Sequence, residues 1–423
     1  MIKFGQMDKQ ALKNIAIDQK NAFINKSGLI ERDIDFNKYI STSQVVVISG
    51  VRRCGKSSLL YLIKEKLKLK ENQFCYFNFD DERIGTDVSL FNDLYALHLE
   101  MYETEPVFFF DEIQIIPGWQ KFVNRMHEQG KKIFVTGSNA QLLSSEIATS
   151  LTGRTKILEL FPFSFAEYLR FFDRNYDINA LSTEKTAVLK ADLNRYLEMG
   201  GFPLVIKEDD LELLNGWFQD ILYRDIVARY NLTSADALRQ IAVFLLTNVG
   251  KLFSYVTLQQ ISGAKSSKSV KDFLTYFENS YLFYYLKKFD YSVKKQIMNS
   301  RKAYVIDNGV ANRIGINFSK NTGRLMENAV FVELMRRKKE TFYFKGKNEC
   351  DFLITENLKP ALAIQVTYEL TETNFDRETA GLLEAMETFN IPKGLLITFE
   401  KVHDFPVENI ETVTLYDWLL MKS

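Results

Sequence analysis

Gly50-Val51-Arg52-Arg53-Cys54-Gly55-Lys56-Ser57 matches the pattern G-x-x-x-x-G-K-[ST] in full. Glycines let successive backbone N–H groups turn toward phosphate oxygens, and a helix that follows adds the favourable field of its N-terminus. In that chemistry Lys56 reaches the β- and γ-phosphates of a nucleotide, the Ser57 hydroxyl is a ligand for Mg2+, and the binding loop runs through Ser58. Further along, Val107-Phe108-Phe109-Phe110-Asp111-Glu112 is an apolar run that ends in two carboxylates. Asp111 is expected to hold Mg2+ through water, and Glu112 to polarise an attacking water as general base. An Asp and a Glu together favour hydrolysis of the nucleotide over transfer of its phosphoryl group to a second substrate.

Other polar positions are ranked behind these. Ile133-Phe134-Val135-Thr136 leads into Gly137-Ser138-Asn139, and Asn139 or Ser138 is the candidate to hydrogen-bond the γ-phosphate and the attacking water. Arg154 is the candidate arginine finger for transition-state charge, acting within one chain or across two. Arg52 and Arg53, inside the loop, compete with it for phosphate contact or for an acid on a neighbouring subunit.

These residues need rigid elements to hold them. Val45-Val46-Val47-Ile48 is continuously apolar, as a parallel strand buried on both faces should be. Runs at 74–79, 107–110 and 132–135 resemble it, helical patterns at 57–69, 90–101 and 118–128 lie between, and a further strand at 156–161 is expected to close the unit. That alternation predicts an α/β unit with a parallel sheet. The expected borders are an N-terminal helical segment at 1–40, a nucleotide-binding domain at 41–162, a helical lid or linker at 163–235, a winged-helix-like domain at 236–305, and a C-terminal α/β domain at 306–423. In the winged-helix reading, helices at 237–246 and 256–261 precede a recognition helix at 266–280 carrying Lys265, Lys268 and Lys271, then a strand at 281–289 and a wing at 291–296. Six Lys or Arg between 287 and 302, against one Asp, form an expected basic stripe suited to phosphate contacts.

The motifs together resemble a known family. Val51-Arg52-Arg53-Cys54-Gly55-Lys56-Ser57, Phe110-Asp111-Glu112-Ile113-Gln114, Thr136-Gly137-Ser138-Asn139, and Thr152-Gly153-Arg154 ahead of Leu160-Phe161-Pro162-Phe163-Ser164-Phe165 are similar to prokaryotic AAA-type P-loop ATPases with a C-terminal domain of unknown function. The resemblance covers essentially the whole chain. It implies ATP rather than GTP as the nucleotide, and no guanine-reading Asn-Lys-x-Asp is present. The helix–strand–strand–strand–helix–strand order of the C-terminal part resembles the PD-(D/E)XK nuclease fold, that of restriction endonucleases. That resemblance implies a site at Glu327, Asp351, Gln365 and Thr367, in which Gln365 replaces a carboxylate and Thr367 replaces the lysine. The expectation is a binding module that has lost metal-dependent cleavage, with an ATP-dependent nuclease as the alternative.

Composition narrows the rest. The chain has 423 residues, 46% apolar, with 54 Lys+Arg against 54 Asp+Glu, so it is neither disordered nor an indiscriminate polyanion binder. Three scattered cysteines and three histidines offer no disulfide framework and no zinc spacing. No apolar run approaches the roughly 20 residues that span a bilayer, and the first residues lack the apolar core of a secretory signal. The expectation is a cytoplasmic ATPase without a membrane partner that couples ATP and Mg2+ to a nucleic acid or a protein. Homo-oligomer formation is left open.

Overall fold

Continuous apolar runs, rather than alternating ones, decide the first sheet. In the computed structural model, which describes residues 8–138, 151–178, 180–316, 321–402 and 409–421, the chain divides into a unit ending at Phe161 and a unit from Pro162 onward. The first unit contains α1 (Lys9–Ile24), α2 (Phe36–Ile40), β1 (Val45–Ser49), α3 (Lys56–Lys66), β2 (Phe74–Asn78), α4 (Leu90–Tyr102), β3 (Val107–Asp111), α5 (Trp119–Glu128), β4 (Ile133–Gly137) and β5 (Thr155–Glu159). Its sheet has the order β2-β3-β4-β1-β5 with every pair parallel. Every residue of β1 and β4 is buried, the condition that allows strands without polar alternation.

Phenylalanine fills this unit. Phe91 on α4 lies 4.8 Å from Phe79, 5.4 Å from Phe110 and 5.1 Å from Phe122 between ring centroids, so one ring joins the sheet to α4 and α5. On the opposite face Phe109 stacks on Phe134 at 5.1 Å. Helix α1 belongs to the same core: Leu12 and Ile15 are buried in the cluster, and Phe23 stacks on Tyr76 at 4.0 Å. The N-terminal helical segment expected at 1–40 packs on the sheet through α1.

The second unit opens with α6 (Phe165–Phe171), α7 (Thr183–Met199), α8 (Pro203–Glu208) and α9 (Leu213–Gln219), which continues as a π-helix over Asp220–Ala228. The break at Gly200-Gly201 has a steric cause. Gly200 has φ +76°, and a Cβ there would meet the Asp307 carboxylate at 1.9 Å, while one on Gly201 would meet the Phe163 carbonyl at 2.3 Å. Next come α10 (Asp236–Thr247), β6 (Leu252–Phe253), α11 (Tyr255–Ser262), α12 (Ser267–Asn279), β7 (Phe283–Lys287), α13 (Val293–Met298) and β8 (Arg301–Val305). The three strands form an antiparallel sheet in the order β6-β8-β7. The segment expected as an irregular wing is instead occupied by α13, capped by Ser292, whose hydroxyl accepts from the Lys295 N–H.

The remainder is α14 (Asn308–Ile314), α15 (Thr322–Arg336), β9 (Glu340–Lys345), β10 (Glu349–Glu356), β11 (Lys359–Thr367), α16 (Phe375–Phe389), β12 (Gly394–Thr398), β13 (Ile410–Thr414) and α17 (Leu415–Leu420). Its sheet runs β13-β12-β11-β10-β9, with β9, β10 and β11 antiparallel and β11, β12 and β13 parallel. The end of β7 reaches this sheet: Lys288 bridges to Tyr343, and the Phe289 N–H donates to the Tyr343 carbonyl at 2.9 Å. Among the described residues no helix is long and apolar enough to cross a membrane.

Candidate nucleotide site

The loop between β1 and α3 is shaped by contacts that exclude side chains. Gly50 has φ +147°, and a Cβ there would lie 2.2 Å from the Leu160 carbonyl oxygen, so only glycine lets the chain leave β1 against the end of β5. Gly55, at φ +102°, caps α3, which begins at Lys56. The N-terminus of α3 therefore opens onto the loop, as phosphate binding requires. Arg53 is also left-handed, at φ +66°.

Lys56 is 5% exposed and curls over this loop. Its ammonium donates to the carbonyls of Gly50 at 3.2 Å and Val51 at 3.1 Å, and lies 3.5 Å from a carboxylate oxygen of Glu112. Sheet order explains the meeting: β1 and β3 flank β4, so residues at the carboxyl ends of all three face one place. Glu112 leaves β3 in a left-handed conformation, φ +51°, and its other carboxylate oxygen accepts from the Gln114 amide at 2.6 Å. Burial acts to raise the Glu112 carboxyl, but Lys56, Gln114 and Arg52 together outweigh it and hold it below its ordinary range.

Asp111 is 1% exposed. Its carboxylate accepts from the hydroxyls of Thr136 at 2.5 Å and Tyr76 at 3.2 Å, and the Ser57 hydroxyl bonds it as well. Burial raises its pKa and the neighbouring Glu112 charge adds to that, against the hydrogen bonds from Ser57 and Thr136. Ser57 and Asp111, the two expected Mg2+ residues, thus present adjacent oxygens at one point, the hard-oxygen donor type that Mg2+ prefers.

Two contributors escaped the sequence reading. Thr136, at the end of β4, is fully buried; its hydroxyl donates to Asp111 and accepts from the Glu112 N–H at 2.9 Å, so one side chain orients both acids. Its signal in the sequence is its place at the end of the apolar run Ile133-Phe134-Val135, just ahead of Gly137-Ser138. Arg32, between α1 and α2, is 7% exposed and donates to the Cys54 carbonyl at 3.2 Å and the Phe161 carbonyl at 2.7 Å. It ties the loop to the end of the unit from a distance in sequence that no motif spans.

The remaining expectations meet mixed fates. Arg52 lies 3.9 Å from Asp80, and Cys54 is fully buried. Ser138 is buried beside Glu112, while Asn139 falls outside the described residues. Arg154 precedes β5 at the end of the sheet remote from the loop, since Thr155 pairs with Val45, and it bonds Asn124 and Glu128 on α5. Five residues of strand, about 16 Å, separate that position from the loop, so a finger role within one chain does not fit this placement.

In the second unit Glu327 and Asp351 do come together. Their partner is Lys302, which the sequence reading had placed in an exposed basic stripe; it is 2% exposed and bonds both carboxylates at 3.1 Å. Burial and the Asp351 charge push the Glu327 carboxyl up to about 7, against the pull of Lys302. The Gln365 side-chain carbonyl accepts from the Asp351 N–H at 3.2 Å, whereas the Thr367 hydroxyl turns to the Glu369 carbonyl. Among the described residues no group of three or more His, Cys, Asp or Glu has the arrangement of a metal centre.

Comparisons with known proteins agree with the first unit. Residues 42–169 match the model of a family described as an AAA domain, and residues 190–321 match a domain of unknown function. An uncharacterized protein of Methanocaldococcus jannaschii is 37% identical over 97% of this chain and 93% of its own length. One from Haemophilus influenzae is 31% identical over 94% of this chain and 99% of its own. Among solved structures, a Walker-type ATPase of Pyrococcus abyssi is 16% identical, covering 68% of this chain and 96% of its own, with a TM-score of 0.40. With relatives matched from end to end and a P-loop on a five-stranded parallel sheet, the chain belongs to the family of these archaeal and bacterial proteins, and its first unit is an AAA-type P-loop domain.

Proposed function

We propose that the first unit binds ATP with Mg2+ in the loop Gly50–Ser58 and hydrolyses it, and that the second unit turns nucleotide state into contact with a nucleic acid. The observation that carries the hydrolytic reading is the convergence of Lys56, Ser57, Asp111, Glu112 and Thr136 at the carboxyl end of one parallel sheet. Ser57 and Asp111 would hold Mg2+, which when bound neutralises phosphate charge. Glu112, kept ionised by its surroundings, accepts a proton from water at neutral pH. Phosphate oxygens that draw the Lys56 ammonium toward themselves loosen its hold on Glu112, so binding frees the base. Asn139 and Arg154, the latter from a neighbouring subunit, complete the proposal.

The nucleic-acid reading rests on the module at 236–305, four helices and three strands, read as a winged helix. Lys268 and Lys271 on α12, with Lys265 just before it, are exposed, as are Lys287, Lys294 and Lys295 near the β7–β8 connection. One observation favours a protein partner instead: Tyr291, Val293, Ile297 and Met298 at that connection are 54–75% exposed, more apolar surface than phosphate contacts need. Turnover of ATP measured with single-stranded DNA, duplex DNA and RNA distinguishes these. Stimulation that fades steeply with salt is expected, because phosphate contacts release counterions. Unchanged turnover with all three would overturn the nucleic-acid reading and leave the protein partner.

A further inference from the structure

Lys302 is a buried cation of the second unit set among three carboxylates, and the ATPase reading has no use for it. It comes from β8, in the three-stranded sheet, while its partners come from α15 and β10 of the C-terminal part. The ammonium lies 3.1 Å from Glu327, 2.9 Å from Glu349 and 3.1 Å from Asp351. Space is made for it: Gly250 has φ +76°, and a Cβ there would come within 2.9 Å of the Glu327 carboxylate. The Tyr304 hydroxyl donates to the same Glu327 oxygen at 2.6 Å, and the second Asp351 oxygen accepts from the Val366 N–H at 3.1 Å.

We propose that the Lys302 ammonium is a built-in cation that takes the place of a divalent metal ion among Glu327, Glu349 and Asp351, spreading their oxygens to about 3 Å from it, wider than the roughly 2.1 Å of a Mg2+ site, and that it clasps the β6–β8 sheet to the C-terminal sheet without metal. The ammonium donates to Glu327 and Asp351 and lies against a third carboxylate, Glu349. A lysine that served phosphodiester cleavage would have to reach the scissile phosphate or its water, and this one is buried and enclosed by three carboxylates. Asp351 is likewise spent, one oxygen on Lys302 and the other on the backbone of β11. A divalent ion brought to the same carboxylates would face the ammonium at about 3 Å, a like-charge repulsion that one of the two must relieve by leaving. Burial acts to neutralise Lys302, yet the charges of Glu327, Asp351 and Glu349 outweigh it and keep the lysine protonated. The module that carries α12 and the C-terminal sheet then move as one body, joined by this cluster and by the Lys288–Tyr343 bridge.

The clasp is independent of the nucleotide reading and is tested apart from it. Mn2+ binding to the full chain without nucleotide, followed by electron paramagnetic resonance, compares wild type, Asp351→Asn, Lys302→Ala and Lys302→Ala with Asp351→Asn. Wild type and Asp351→Asn should bind Mn2+ alike, because the cluster is already filled. Lys302→Ala should gain a single Mn2+ per chain that the added Asp351→Asn removes, and Mn2+ should raise its Tm but not that of wild type. A wild-type Mn2+ site that Asp351→Asn abolishes would overturn the proposal, as would a folded Lys302→Ala that gains none. If Lys302→Ala fails to fold, the wild-type comparison with Asp351→Asn decides alone.

Discussion

Thr136 holds two acids with one hydroxyl, donating to Asp111 and accepting from the Glu112 N–H. Valine keeps its shape and loses both bonds. Thr136→Val should therefore lower stability by about 1–3 kcal/mol, the cost of leaving buried polar groups without a partner. It should also lower kcat for ATP more than it changes KM, since in the proposed reading the loop holds the nucleotide while Asp111 holds Mg2+ and Glu112 acts on the water. Steady-state kinetics and urea denaturation check both; an unchanged kcat would mean that the acids keep their positions without it. The motif residues were legible because their spacing is local: Gly50 to Ser57 sit in one turn, and Asp111 and Glu112 are adjacent. Arg32 and Lys302 were not, because their partners lie tens of residues away and an exposed lysine and a buried one look alike in sequence.

At the scale of elements, β1 to β4 were legible because strands buried on nearly every residue are almost unbroken apolar runs, whereas β5 lies at the sheet edge with Ile157 exposed and carries polar residues among its apolar ones. Helix α13 was hidden by its length; six residues carry too little periodicity to tell helix from wing. Phe91 joins α4, α5 and the sheet and is fully buried, so Phe91→Ala should cost about 3–5 kcal/mol, read as a fall in the urea midpoint. A loss below 1 kcal/mol would mean the ring cluster closes over the cavity. His98 on the same helix is 4% exposed. Burial first, and the nearby Lys20 charge second, lower its pKa from 6.5 to about 4. Between those values the unfolded chain takes a proton that the folded chain refuses, so His98 makes stability fall as pH drops from 6.5 to 4. His98→Phe should lose less stability over that window than wild type; parallel curves would contradict the assignment.

At the scale of the molecule, a net charge of zero conceals separate local environments. Of the six cations counted between 287 and 302, Lys302 is buried against carboxylates and Arg301 is half-buried, so the exposed basic surface is smaller than the sequence suggested. Neutrality also averages over two units, with the P-loop in the first and an exposed, basic and apolar-tipped module in the second. The claim on which the rest depends is that Glu112 is the base of an ATP hydrolase. It is tested most directly by ATP binding and single-turnover hydrolysis in Glu112→Gln, with Lys56→Ala as the binding-defective comparison. Binding close to wild type with hydrolysis slowed roughly 100- to 10,000-fold is the predicted result; hydrolysis at the wild-type rate would contradict it.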